Sequence, residues 1–267
     1  MRPSISVPPD FGAFLRNGRV VVAACLVALT LLAWLYLAQL AEAMRAMSAG
    51  NDSAYMWLMP MGRWGPAEFA LCFAMWAIMM IAMMVPSAAP MLFVFQALDS
   101  SRRSGGSARL RFAAFFLGYV VVWTAFSLVA AAVQWQLHAA AVVSDMMMSS
   151  SRVFDGLILL CAGIYQFMPA KSRCLSKCRT PLGFLMSEWR EGTTGAWLMG
   201  LRHGMFCVGC CWGLMALLFV GGVMNLLWIA VLAAIVLTEK AVPFGITVAK
   251  AAGVLMCASG LWLLFST

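Results

Sequence analysis

Three cysteines and a histidine fall within nine residues as His203-x3-Cys207-x2-Cys210-Cys211. On a helix, residues four apart stack on one face, so His203, Cys207 and Cys211 form a stripe with Cys210 beside it. Imidazole and thiolate together are ligands for soft or borderline ions such as Cu(I) and Zn(II). The plain alternative is that small buried cysteines only pack. Upstream, Cys174 and Cys178 stand one helical turn apart in the run Pro169 to Pro181, among Lys171, Arg173, Lys177 and Arg179. Neighbouring cations favour the thiolate that binds metal or exchanges disulfides. C-x3-C is not a zinc-finger spacing, and two thiols kept reduced by the cytosol are the competing reading. Together the two motifs offer five cysteines and one histidine near one membrane face.

A second sulfur pattern is longer. Cys72, Met75, Met79 and Met83 follow helical spacing, with Met80 and Met84 on the adjoining face and Pro86 and Pro90 beyond. Thioethers bind Cu(I) and hardly bind hard cations, so such a stripe could pass a soft ion across a bilayer, although methionine is also a gap-filler in helix packing. Further methionines cluster outside the apolar runs, namely Met44, Met47, Met56, Met59 and Met61, then Met146, Met147 and Met148 beside His138 and Asp145. These could collect or release the ion, or form a partner-binding apolar surface. Cys25, Cys161 and Cys257 are isolated and read as packing residues.

The elements that position these groups follow from composition. The chain is 64% hydrophobic and 10% charged, with 22 Met, nine Cys and two His, at mean hydropathy +0.91. That excludes a water-soluble domain, a disulfide-stapled secreted module and a disordered chain. Apolar runs at about 20–40, 68–95, 112–137, 153–168, 197–220, 224–238 and 246–265 predict an all-α, polytopic membrane helix bundle of about seven transmembrane helices. A single membrane domain over 1–267 is expected, with a short tail 1–19 and a cysteine-containing loop 169–196. The first run is too long for a signal-peptide core, despite Ala41-Glu42-Ala43, and reads as an uncleaved anchor.

Basic residues set the expected orientation. Arg2, Arg16 and Arg19, then Arg102, Arg103, Arg109 and Arg111, then Lys171, Arg173, Lys177, Arg179, Arg190 and Arg202, then Lys240 and Lys250 fall on one side. Arg45, Arg63 and Arg152 fall on the other, which predicts a cytoplasmic N-terminus. The net charge of +8 is thereby read as topology, with no support for nucleic-acid binding. Gly200-x3-Gly204 and Gly209-x3-Gly213 would let neighbouring helices approach the cysteine helix. Glu239-Lys240 reads either as a solvated pair or as a pair near the metal face that supports the ligands or carries a proton.

The segments Met79 to Pro86, Tyr165 to Pro181, Gly204 to Trp212, Met224-Asn225 and Glu239-Lys240 resemble an uncharacterised bacterial family of predicted metal-binding integral membrane proteins. The resemblance implies metal binding in the bacterial inner membrane and supplies neither substrate nor mechanism. The favoured reading is a multi-pass protein that binds copper as Cu(I), with zinc the second candidate, and transports or delivers it. Its ligands would be Cys174, Cys178, His203, Cys207, Cys210 and Cys211 at the cytoplasmic face, with Cys72, Met75, Met79 and Met83 as relay. A metallochaperone or a membrane enzyme is the expected partner, alongside lipid. No nucleotide-binding domain or phosphorylation motif is visible, so any transport would run down a gradient or through a partner, and no catalytic residue is assigned. The alternatives are a transmembrane thiol redox relay and an assembly factor for a membrane metalloenzyme.

Overall fold

In the computed structural model, residues 18–48, 65–101, 107–140 and 151–266 are described. They form α1 (Gly18–Ser48), α2 (Pro66–Ser101), α3 (Ala108–Ala139), α4 (Arg152–Phe167), α5 (Pro169–Arg179), α6 (Pro181–Glu188), α7 (Gly192–Ala216), the single turn α8 (Leu218–Gly221), α9 (Leu226–Ala241) and α10 (Gly245–Phe265). No strand occurs among the described residues. Apolar runs this long become helices because hydrocarbon offers no partner to an open backbone N–H or C=O. Five helices, α1, α2, α3, α7 and α10, are long and apolar enough to cross a membrane.

The runs expected at 153–168 and 224–238 become α4 and α9, of 16 residues each, which is about 24 Å of helix. The first reaches a spanning length only with α5, across a 65° bend. The bend sits at Met168, which is extended (φ −70°, ψ 139°) because the residue before a proline is pushed out of the α region. Pro169 and Pro181 then open α5 and α6, where their missing N–H costs nothing. The segment 169–196, expected as a loop, is therefore two short helices and the start of α7.

Antiparallel pairing of α2 with both neighbours is fixed by polar contacts. Trp34 of α1 donates to the Ala82 carbonyl (3.2 Å), and Trp76 donates to Gln134 Oε1 of α3 (2.6 Å). The Trp34 bond has a local cause: Pro86 has no N–H to give the carbonyl four residues back, and the indole takes it. The helix α2 runs unbroken through Pro86 and Pro90. At the other end Arg111 and Asp99 form a buried ion pair (2.6 Å).

The helix α7 lies parallel to α3, backbone against backbone. A Cβ on Gly200 would run into the Phe115 carbonyl, and one on Gly204 would sit 2.9 Å from Val122 Cβ. Gly213 faces Tyr165 and Ala162 of α4, so the small-residue spacings on α7 do bring helices close. A second glycine seam joins α4 and α10, where Gly163 meets Gly253 and Cys257, and Gly156 meets Gly260. The large buried side chains Trp76, Tyr119, Phe95, Phe115 and Phe184 fill the space between α2, α3, α6 and α7. Large apolar side chains such as Leu32, Leu35 and Leu255 are exposed on the outside, as lipid-facing positions are.

Candidate metal centre

Helical phase on α7 turns His203, Cys207, Cys210 and Cys211 inward together, and all four are buried. Cys207 is the hub. The Tyr119 hydroxyl of α3 lies 3.2 Å from its sulfur, and Lys240 Nζ of α9 lies 3.0 Å from it. The same ammonium donates to Ser87 Oγ of α2 (3.0 Å). Tyr119 also donates to the Met84 carbonyl (3.2 Å), so one hydroxyl ties the α2 backbone to the hub.

Two sulfur pairs flank Cys207. Cys210 Sγ is 4.0 Å from Cys178 Sγ of α5, and Cys211 Sγ is 4.0 Å from Met84 Sδ of α2. Both α7 thiols also donate to the Cys207 carbonyl, at 3.1 and 2.9 Å, a local bond that parks them until something displaces it. Cys174 packs its sulfur onto Gly209, where a Cβ would sit 2.8 Å away. Gly209 is thus the notch that lets the cysteine face of α5 reach α7.

A helix as polar as α5 can lie here because its charges are answered. Lys171 Nζ pairs with Glu239 Oε2 at 2.6 Å, both side chains 2% exposed. Arg179 Nη2 donates to the carbonyls of Val242 and Pro243 at 2.8 and 2.6 Å, beyond the end of α9. Lys171, Lys240 and Arg111, counted above as topology charges, are therefore internal contacts.

The donor chemistry fits a soft ion. Two sulfurs 4.0 Å apart are close enough that one ion could touch both, and mixed thiolate and thioether donors would suit a soft ion such as Cu(I). Among the described residues no three His, Cys, Asp or Glu side chains converge as a ready-made ligand set for a metal ion. What the fold assembles is two sulfur pairs beside a central cysteine, one of the sulfurs being a thioether.

The other expected ligands are distributed differently. His203 lies among the rings of Tyr119, Phe115 and Phe184, at centroid distances of 5.5, 6.3 and 5.7 Å, with Nδ1 lacking a hydrogen-bond partner. Cys72, Met75, Met79 and Met83 are buried along α2 with Met80, leading over about 18 Å of helix from Cys72 to Met84. The member that meets the cysteines is Met84, from the adjoining face. Met44 is buried on α1; Met56, Met59, Met61, Met146, Met147 and Met148 lie outside the described residues, as does the Met47 side chain. Tyr119 and Ser87 belong to no spacing pattern in the sequence. A lone tyrosine in an apolar run was the available signal, because a buried hydroxyl needs a partner.

Cysteine placement puts the hub deep in the bundle. Cys207 lies 15 residues into α7, about 22 Å from its first residue, and is 1% exposed. The family model described as "PpoB2: Copper chaperone" matches residues 73–263, a stretch holding Met84 and all five cysteines of α5 and α7. No curated protein and no solved structure matches the chain.

Proposed function

The chain belongs to this copper chaperone family, and on that premise we propose that it holds Cu(I) in the sulfur site between α2, α5 and α7 and delivers it within or across the bacterial inner membrane. The observation that carries the reading is Cys207 flanked by the Cys178–Cys210 and Cys211–Met84 pairs. Soft donors with no hard ligand among them suit a monovalent soft ion. The buried thioethers Met75, Met79 and Met83 would conduct the ion along α2, and the outer methionines would exchange it. The N-terminus would be cytoplasmic, with exposed cations such as Arg109, Arg173 and Arg190 on that side. A soluble metallochaperone or a membrane metalloenzyme would be donor or recipient.

Metal analysis of protein purified under reducing conditions tests this. About one copper per chain is expected, lost in the C207S/C211S variant while membrane insertion is retained. Zinc in place of copper, or unchanged copper in the double variant, overturns it. One observation favours a second reading, a thiol redox relay: the Cys178 and Cys210 sulfurs are 4.0 Å apart. Metal-free protein whose thiols cycle with a dithiol would select that reading.

A further inference from the structure

Lys240 contributes no metal ligand, yet its Nζ occupies space beside the hub sulfur. It approaches Cys207 Sγ to 3.0 Å and is held there by Ser87 Oγ, also at 3.0 Å. Charged and polar groups face it from the elements packed around it. Glu239, the preceding residue on α9, pairs with Lys171 of α5 at 2.6 Å, so those two charges cancel. From α3 comes the neutral hydroxyl of Tyr119, and from α7 His203, stacked among rings. Lys240 therefore sets its ammonium directly against the sulfur cluster, with Cys207 Sγ at 3.0 Å.

We propose that Lys240 is the specificity-determining residue of this site: its fixed ammonium beside Cys207 admits a monovalent soft cation and repels divalent ions, Zn(II) above all. Resting on the copper reading above, this adds the residue that enforces it. Repulsion by a fixed charge scales with the charge of the incoming ion. At about 5 Å and an effective dielectric constant of about 20, one extra unit of charge amounts to more than tenfold in affinity. Sulfur donors alone do not provide this discrimination, since thiolates bind zinc well. Two features of the fold reinforce it. Glu239, the nearby carboxylate that would suit zinc, is engaged by Lys171, and the His203 imidazole is walled by Phe115, Tyr119 and Phe184.

The test is the ratio of Cu(I) to Zn(II) affinity of the purified full chain, by competition with chromogenic chelators, for wild type and for Lys240→Leu, Lys240→Gln and Lys240→Arg. Both neutral variants should lose at least tenfold in the ratio through tighter zinc binding, and Lys240→Arg should keep the wild-type ratio. Leucine and glutamine differ in polarity and neither offers a soft donor, so one of them serves if the other fails to insert. A ratio unchanged in the neutral variants, or lowered equally in Lys240→Arg, overturns the proposal. Wild-type protein that binds no Cu(I) defeats the functional reading instead, and Cys207→Ser, expected to weaken both metals, reports on the site rather than on the selectivity.

Discussion

Met84 of α2 and Cys211 of α7, 127 residues apart in the chain, bring their sulfurs to 4.0 Å. This contact joins the methionine-rich helix to the cysteine helix. Met84→Leu should keep the shape of the core, since such swaps usually cost less than about 1.5 kcal/mol, while removing a soft donor. Cu(I) affinity should fall at least tenfold with thermal stability nearly unchanged, as read by chelator competition and a melting curve in detergent. Wild-type affinity would remove Met84 from the site.

The triple variant M75L/M79L/M83L addresses the rest of α2. All three side chains are buried, and leucine fills the same volume without a lone pair. Cu(I) flux into proteoliposomes should drop sharply while static binding at Cys207 persists. Normal flux would make the stripe core packing.

Bringing α5 against α7 makes a dithiol of residues 32 apart in sequence, Cys178 and Cys210. Mild oxidation of metal-free protein should link them, giving a cross-linked peptide by mass spectrometry. Preloading with Cu(I) should protect both thiols from alkylation. Protection of Cys25, which is exposed on α1, is not expected and serves as the internal control.

The Lys171–Glu239 pair predicts a non-additive response. With both side chains 2% exposed, Lys171→Met alone strands a buried carboxylate and should destabilise by about 3–5 kcal/mol. K171M/E239L removes both charges and should recover most of that loss, measured as thermal stability in detergent. Equal losses in the single and double variants would mean that α5 is held by something else.

Gly200→Ala should disrupt the α3–α7 seam, because its Cβ would collide with the Phe115 backbone. Gly183→Ala, whose Cβ would find ordinary contacts at 3.6 Å, should be tolerated. Yields of monodisperse protein after extraction separate the two.

Much of this was legible in the sequence because it is local. The phase of His203, Cys207, Cys210 and Cys211 needs only the helical repeat, and the long apolar runs fix α1, α2, α3, α7 and α10. What stayed hidden depends on residues far apart in sequence. Nothing near Lys171 announces that its carboxylate is Glu239, 68 residues later, and a cation beside an apolar run looks the same whether solvated or buried. The cysteine segment from Pro169 to Pro181 read as a loop because its charges suit solvent; its helicity becomes understandable once Glu239 and the carbonyls of Val242 and Pro243 answer them. Met84 was placed on the adjoining face of its own helix correctly, but which face meets the cysteines is decided by α7.

The short helix α5 is fastened near both ends to one neighbour: Lys171 to Glu239, and Arg179 to the carbonyls of Val242 and Pro243. Between these two rivets lie Cys174 and Cys178. A displacement that takes Cys178 away from Cys210 must therefore either tear a desolvated ion pair or pull the end of α9, with Lys240, along with it. In the second case α5 and the tip of α9 travel as one lever arm, and withdrawing the thiol also withdraws the ammonium from Cys207.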